Sequence, residues 1–503
     1  MNPDVAPGSA WGPLDPRRAA GRIAPASRGV RSRPSAPDAG GTAPGAELGL
    51  TVIILFVMAC SVVADRTVIG VSTGGRGVLE LLTFGAPAVA LVVIARYGSA
   101  RTLGFLRSPV FVLAVAPYLV LTFVLPVLGI MFNGYPERTL IAVNEATTAF
   151  SFLVLGAALA TTERRRWRPW IVLAIVLQLL YALGQMVYLA RGPGWELFGP
   201  FHDWDLSLQA FYGSFVQARG TGLYFNPNEL GLWAGVAAIL AWTILTPRLR
   251  LVGVTLAVLT LLASQSRGAS VALLAAAAVG VVLAFVRGRT SASGAARAAL
   301  SVGLATAVAV AVVVALEPSR GLVDRFGALL AVWAQGPRAD ANLAGRLDYW
   351  SSVIDLNVLY PWGTWGSPEL LLGSAVDSSW FEVFAQGSVL YVGALVLLLV
   401  APFALRHTRF GDALVLMAVL IAVAGLTQTP FGYPVVFLFW VLLGSGLQSS
   451  IGERVSDSAA LAVDGGARPS GRAGGATDGN TRGPRGVVRP IAAAPAPAPN
   501  SPD

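Results

Sequence analysis

Residues 219–231 read RGTGLYFNPNELG, a polar, glycine-rich stretch with long apolar segments on both sides of it. Polar residues at the edge of such segments are costly in a bilayer, and they are retained where they bind a ligand or take part in a reaction. The stretch therefore predicts a helical membrane protein with a functional site at one end of its helices. We expect the chain to hold this stretch against one other polar region, the long loop 317–378.

The composition indicates that a bilayer is the main solvent of the protein. Of the 503 residues, 55% are hydrophobic and 13% are charged, whereas a soluble domain carries about 25% charged residues. The mean hydropathy is +0.65. The net charge of +9 rests on arginine alone, since the chain has no lysine. Most of these arginines fall in short loops between apolar segments, which is typical of a membrane protein and argues against a nucleic-acid-binding surface.

Cysteine and histidine are too rare for several kinds of site. The single cysteine, Cys60, lies in an apolar run, so neither a disulfide framework nor a cysteine-based metal site is available. The two histidines, His202 and His407, are too few for a histidine-rich metal site. The sequence therefore predicts neither a metal nor a cofactor.

About twelve apolar segments approach the ~20 residues that a helix needs to cross a bilayer. They lie near 47–64, 77–95, 109–130, 139–161, 169–190, 223–246, 249–264, 268–287, 298–316, 379–401, 411–428 and 431–448. The predicted fold class is an all-α integral membrane protein, with its membrane domain at 47–448. The flanking segments 1–46 and 449–503 are rich in proline, glycine, alanine and arginine and are predicted to be disordered.

The placement of arginine predicts the orientation. Every second loop is rich in arginine, as in the run ERRRWR at 163–168, while the alternate loops carry fewer arginines and more acids. Because cytoplasmic loops carry the excess of arginine, we expect a multi-pass protein of the cytoplasmic (inner) membrane with both termini in the cytoplasm. Arg219 and the loop 317–378 are then on the outer face.

The outer loop 317–378 is predicted to contain an amphipathic helix at about 345–357. Trp350, Val353, Ile354 and Asn357 are spaced to share one face of that helix. The residues that end it are Pro361, Gly363 and Gly366. Aromatic residues in such a helix suit a position on the outer leaflet of the membrane.

Arg219 is the first candidate ligand for an anion. Its guanidinium group offers paired donors to phosphate oxygens and stays charged at any working pH. Asn226, Asn228 and Glu229 follow closely, and the backbone N–H groups at the start of the next helix favour a negative ligand there. The alternative is a snorkelling arginine followed by a helix cap at Asn226 or Asn228, and the residues alone do not decide between the two.

Two further arginines lie in segments that are predicted to face outward, one in a polar break and one at the start of the amphipathic stretch, where surface arginines are common. Arg267 follows the run SQS at 264–266, and it either binds an anion or marks a tight turn between two helices, with the turn slightly favoured. Arg346 lies four residues before Trp350, on the same helical face. Asp348 and Asp355 nearby are either salt-bridge partners or bases.

Acidic residues supply two more candidates. Asp377 precedes the tenth apolar segment, where a carboxylate can deprotonate an acceptor hydroxyl or cap the helix, and one residue can do both. Asp203 and Asp205 form the D-x-D pattern with which many nucleotide-sugar transferases hold a metal, although a solvated loop is the favoured interpretation.

Taken together and in this order, these segments resemble the superfamily of O-antigen ligases and O-antigen polymerases, over roughly residues 50–448. The matching pieces are Arg219 with Asn226-Pro227-Asn228 and Gly231, the run SQSRG at 264–268, Gly345-Arg346 with Trp350, Pro361, Gly363 and Gly366, and the region from Asp377 to Gly387. The long outer loop between the ninth and tenth apolar segments also matches.

The resemblance implies a metal-independent glycosyltransferase that acts on polyprenyl-diphosphate-linked glycans at the outer face of the inner membrane. Arg219 and Arg346 would hold the diphosphate, and Asp377 would stand where family ligases carry a histidine. That difference favours a polymerase or a related surface-glycan transferase over a ligase. The further substrate-binding residues would be Asn226, Asn228, Glu229, Arg267 and Trp350. The implied partners are the lipid-linked donor, a glycan or lipid-glycan acceptor and the bilayer, with no nucleic acid.

Two other functional classes fit parts of the pattern. A glycan or lipid transporter without catalytic activity would also have many apolar segments, but it would more often show paired broken helices and ionisable residues deep in several segments. A nucleotide-sugar enzyme would need the D-x-D pattern and a metal. Here the polar residues concentrate at one face, which favours chemistry at the membrane surface.

Overall fold

The computed structural model describes residues 44–62, 78–133, 137–191, 219–224, 226–288, 303, 321–365 and 378–466. Every regular element within these ranges is helical, as the sequence predicts. In chain order the helices are α1 (Pro44–Val62), α2 (Val78–Tyr97), α3 (Ser99–Thr102), α4 (Ala116–Asn133, preceded by a π-helical turn at Phe111–Val115), α5 (Glu137–Ala158), α6 (Arg164–Arg191), α7 (Pro227–Ile244), α8 (Pro247–Ser264), α9 (Arg267–Val286), α10 (Gly321–Gln335), α11 (Ala341–Leu359), α12 (Ser379–Ala404), α13 (Gly411–Ala424) and α14 (Val436–Gly466), with 3-10 turns at Gly104–Arg107, Pro337–Ala339 and Pro430–Gly432.

Five helices in the described part of the chain are long and apolar enough to cross a membrane. They cover Phe111–Phe132, Arg164–Val187, Pro247–Ser264, Arg267–Val286 and Ser379–Ala404. Large apolar side chains face outward on these helices, since Leu274 is 70% exposed, Phe285 67% and Val389 73%. Such a surface is unfavourable in water and suits the hydrocarbon of a bilayer.

The helices overlap eleven of the twelve apolar segments predicted from the sequence. The ninth segment, 298–316, lies outside the described residues apart from Gly303. Helix α1 begins at Pro44 and α14 continues to Gly466. Each of these helices therefore extends into a segment, 1–46 or 449–503, that the sequence predicts to be disordered. The described residues up to Ser450 belong to one compact unit.

Two glycines allow α5 and α14 to cross with their backbones in contact. A Cβ atom at Gly156 would collide with the carbonyl oxygen of Val441, and one at Gly444 would collide with that of Leu153. Small residues are typical of membrane helices that pack this closely. The crossing therefore depends on the absence of a side chain at these two positions.

Replacement of Gly156 by alanine is expected to destabilise the protein by about 1–3 kcal/mol, because neither helix backbone can move away from the added methyl group without losing its packing. Thermal unfolding of the purified protein in detergent measures the effect. Gly393→Ala is the control, since a Cβ atom there meets nothing within 4 Å. Equal melting temperatures for the two variants would contradict the close crossing.

Helix α12 is broken one third of the way along, at 387–388, where Ser388 has a φ of 54°. The carbonyl oxygen of Ala385 accepts a hydrogen bond from the N–H of Thr364 (2.7 Å), and that of Gln386 accepts one from the N–H of Trp365 (2.9 Å). Irregular backbone at membrane depth is tolerated where the protein itself supplies the missing partners. The short segment after α11 supplies them here.

The loop 317–378 contains two helices in its described part, whereas the sequence predicts one. Helix α11 includes the predicted range 345–357, and α10 is additional. Of the residues predicted to share one face of this helix, Val353 and Asn357 are buried and Ile354 is 50% exposed. Successive residues on a helix are about 100° apart, so Ile354 cannot share the centre of the face with Val353. The buried neighbour on that face is Leu356.

The arginines of the predicted cytoplasmic loops meet at one end of the helices. Arg168 Nε donates to the carbonyl oxygen of Ile244 (3.0 Å) at the end of α7, and Arg409 donates to the carbonyl oxygen of Thr162 (2.6 Å). Helix α7 has 18 residues, which is about 27 Å at 1.5 Å per residue. Its other end, beside Arg219, is therefore separated from the arginine-rich end by about the thickness of a bilayer core, ~30 Å.

Candidate functional site

Two buried glutamines of α6 hold the backbone of the segment 219–224. The N–H groups of Thr221 and Gly222 both donate to Gln185 Oε1 at 2.8 Å, and the N–H of Leu223 donates to Gln178 Oε1 at 2.9 Å. Gln178 and Gln185 are seven residues apart and so lie on one face of the helix. Neither residue was predicted from the sequence, where the only sign of a role is that two amides occur in an otherwise apolar segment.

Arg219 is half-buried and points at the start of α7 and the end of α8. Its Nε donates to the carbonyl oxygen of Ser264 (3.0 Å), and its Nη2 donates to Asn228 Oδ1 (3.2 Å). Asn226 caps α7, because its Oδ1 accepts a hydrogen bond from the N–H of Asn228 (2.8 Å). Glu229 lies half-buried in the first turn of the same helix. Asn226 is thus a helix cap, while Asn228 connects to Arg219.

The run 264–268 is a tight turn between α8 and α9. Gln265 adopts a left-handed conformation with a φ of 51°, and Ser266 is the N-cap of α9. A Cβ atom at Gly231 would lie 2.5 Å from the Cβ atom of Ser266, so α7 packs directly on this turn. Arg267 forms an ion pair with Asp340, the N-cap of α11. The turn therefore joins α7 and α9 to α11.

The segment 425–428 lies between α13 and the 3-10 turn at 430–432. It connects α12 to the turn at 264–268. Ser378 Oγ donates to the carbonyl oxygen of Gly425 (2.9 Å). The N–H of Ser379 donates to the carbonyl oxygen of Gln428 (2.9 Å). Gln428 Nε2 in turn donates to Ser266 Oγ (3.3 Å). No role was predicted for this segment, because in the sequence it is only a short polar run at the end of an apolar stretch.

Arg346 and Trp350 of α11 reach the site from the loop 317–378. Arg346 is half-buried, and its Nη1 donates to the carbonyl oxygen of Thr427 (2.7 Å). Trp350, one turn later, stacks on Phe381 of α12 with ring centroids 4.8 Å apart and an interplanar angle of 14°. The first contact fixes α11 against the segment that holds Gln428, and the second fixes it against α12.

The structure brings most of the predicted site residues to the end opposite the arginine-rich loops. Those residues are Arg219, Asn226, Asn228, Glu229, Arg267, Arg346 and Trp350. Asp377 lies outside the described residues, immediately before the buried Ser378. Asp348 is a surface residue that lies 3.9 Å from Arg338, and Asp355 is also exposed.

The described part of the site contains guanidinium groups that can bind an anionic ligand. Arg219 and Arg346 are half-buried, a position in which a charge acts on a ligand through less water than at an open surface. Within the described ranges no group of three His, Cys, Asp or Glu side chains could hold a metal ion. Asp203 and Asp205 lie outside those ranges. The arrangement suits an anion, and a diphosphate matches two arginines.

Comparison with known proteins gives no assignment. The chain matches no protein-family model, and no curated protein matches it. Its function has to be inferred from the residues and their geometry.

Proposed function

We propose that the protein is a membrane glycosyltransferase of the kind found among O-antigen polymerases and ligases. It would transfer or polymerise a polyprenyl-diphosphate-linked glycan in the synthesis of a cell-envelope polysaccharide. The observation that carries the proposal is the meeting of four segments that are far apart in the chain. The run at 264–268 contacts Arg219, Asn228 and Gln428, and the segment 425–428 contacts Arg346 and Ser378. The segments that contain Arg219, Ser266, Arg346 and Ser378 are those on which the sequence resemblance rests. The segment 425–428 is not among them, and it connects Arg346 and Ser378 to the run at 264–268.

In this proposal about twelve helices span the cytoplasmic membrane, and both termini lie in the cytoplasm. The arginine-rich end that contains Arg168 and Arg409 is the cytoplasmic end. The site is then at the outer face, where a polyprenyl chain in the bilayer places its diphosphate beside Arg219 and Arg346. A carrier that moves such lipids would need a path through the membrane, whereas the polar contacts described here lie at one end.

The reaction requires one bond to form and one to break. The hydroxyl oxygen of the acceptor bonds to the anomeric carbon of the donor sugar, the bond from that carbon to the phosphate oxygen breaks, and polyprenyl diphosphate leaves with the electron pair. Arg219 and Arg346 stabilise the charge that develops on the diphosphate. The hydroxyl proton passes to a carboxylate, for which Asp377 stands in the family position. Attack from the face opposite the leaving group inverts the anomeric centre.

The proposal is tested with the lipids of the producing cell. Deletion of the gene is expected to cause a polyprenyl-diphosphate-linked glycan to accumulate. The purified protein in detergent, mixed with the lipid and envelope fractions of the deletion strain, is expected to release polyprenyl diphosphate as the glycan is extended or transferred. If the deletion strain accumulates the lipid but the purified protein releases no diphosphate in detergent, the protein is a transporter and the proposal fails.

We expect this activity to survive a strong chelator, because arginines take the place that a divalent metal has in nucleotide-sugar transferases. The same assay in the presence of EDTA measures the effect. Turnover should stay within about twofold of the untreated rate, because fixed arginines stabilise the developing charge without a metal. Loss of activity with EDTA and recovery with manganese would instead assign a metal to Asp203 and Asp205.

A further inference from the structure

The polarity of a chain of hydrogen bonds decides which atom of Gln428 faces Ser266. Arg219 can only donate, so the Asn228 atom that lies 3.2 Å from its Nη2 is the oxygen Oδ1. The Ser266 hydroxyl also lies 3.2 Å from that oxygen and donates its single proton to it. Ser266 Oγ must then accept from Gln428, whose Nε2 is 3.3 Å away. The other end of the Gln428 amide, Oε1, is left to face elsewhere.

Two neighbouring polar atoms at this place are buried and have no hydrogen-bond partner among the described residues. They are Gln428 Oε1 and Thr427 Oγ1. Gln428 as a whole is only 4% exposed. A Cβ atom at Gly268 would lie 2.6 Å from Thr427 Oγ1 and 2.9 Å from Gln428 Nε2, so the hydroxyl of Thr427 and the amide of Gln428 lie on the same side of Gly268. Buried polar atoms are normally satisfied, and an unsatisfied pair of this kind requires an explanation such as a bound ligand.

We propose that Gln428 and Thr427 form a subsite that binds a hydroxyl group of the sugar attached to the diphosphate. The inference rests on the proposed function and names the part of the donor that this segment recognises. An amide oxygen only accepts hydrogen bonds, so its ligand must bring a donor. Ionised phosphate groups bring none, whereas every sugar ring brings hydroxyl groups.

The position of the subsite agrees with the covalent structure of such a donor. Arg346 contacts the carbonyl oxygen of Thr427 at 2.7 Å, so one of the proposed diphosphate ligands lies directly beside the subsite. In the donor the sugar is attached directly to the diphosphate. Thr427 is half-exposed, and it connects the buried amide of Gln428 to the surface from which a donor would enter.

Binding of two lipids to the purified protein tests the subsite. The probes are undecaprenyl diphosphate and the lipid-linked glycan that is extracted from the deletion strain. The unmodified protein is expected to bind the glycan-linked lipid about tenfold more tightly, which is the contribution expected of roughly one hydrogen bond. Gln428→Met has a similar length and no acceptor, and it is expected to remove this difference while the affinity for undecaprenyl diphosphate stays the same.

Gln448→Met is the matched control, because Gln448 also has a buried Oε1 without a partner in the described chain but lies beside Gly104 at the arginine-rich end. It should leave both affinities unchanged. Thr427→Val keeps the side-chain shape and is expected to weaken only the glycan-linked lipid, by severalfold, so the test does not depend on how Gln428→Met folds. Equal binding of the two lipids by the unmodified protein would overturn the subsite and leave the proposed function standing. Binding of neither lipid would overturn the proposed function itself.

Discussion

Arg219→Ala is expected to lower the rate of glycan transfer at least 100-fold. Removal of one preorganised donor to a developing negative charge typically costs about 10²–10³ in kcat. Arg219 is preorganised in this sense, because Ser264 and Asn228 fix its guanidinium group at 3.0 and 3.2 Å. Arg219→Lys should recover only part of the activity, since an ammonium group is a point charge and cannot bond both partners as the planar fork does.

The matched control for this change is Arg248→Ala, which removes the same charge from an exposed position at the far end of α8. It should transfer glycan at the unmodified rate. Thermal unfolding of each variant in detergent separates a loss of chemistry from a loss of fold. Unmodified turnover in a folded Arg219→Ala protein would show that the residue is a structural arginine that holds the turn at 264–266, and the proposed role would be withdrawn.

Arg346→Ala is expected to reduce transfer by about 100-fold as well, with an increase in KM for the lipid-linked donor. Its guanidinium group reaches from α11 to the carbonyl oxygen of Thr427 at 2.7 Å, so it supplies a second positive charge from a different helix. Arg346→Lys should again restore part of the activity, because it keeps the charge without the bidentate geometry. Initial rates over a range of donor concentrations separate the effect on kcat from the effect on KM.

Arg338→Ala provides the comparison for this second arginine. Arg338 lies in the same outer-loop region, and its side chain is 83% exposed, so its removal should change neither parameter. If the yield and the chain length of the product are the same in Arg346→Ala as in the unmodified protein, Arg346 is a surface charge that only anchors α11. The diphosphate would then have to be held by other groups.

Much of the helical architecture follows from local sequence. Helix α9, for example, is apolar over 20 residues, and only 17% of its most apolar window is buried inside the protein. Its existence therefore depends on its own hydropathy and length and not on a particular neighbour. The packing of α11 does not follow from local sequence in the same way, because Val353 is buried and Ile354 is exposed, although both are apolar.

The parts of the site that the sequence did not predict depend on distant contacts. Gln428 and Ser266 are separated by 162 positions in the chain, yet their side chains lie 3.3 Å apart. Nothing near Gln428 distinguishes it from an ordinary polar residue at the end of an apolar segment. The same is true of Gln178 and Gln185, whose amides hold the backbone that leads from Arg219 to α7.

The sequence by itself determined that this is an all-helical protein with helices suited to a bilayer, that its arginines alternate between loops, and that Arg219 and Arg346 are candidate ligands for an anion. Only the tertiary structure decided that Asn226 is a cap while Asn228 connects to Arg219, that Arg267 pairs with Asp340, and that the segment 425–428 joins α11, α12 and the turn at 264–266. The reason is physical. The free energy of transfer into a bilayer is a sum over about 20 consecutive residues, so the sequence of one segment is enough to predict a membrane helix. A hydrogen bond requires two particular atoms at about 3 Å, and helices from distant parts of the chain set that distance when they pack.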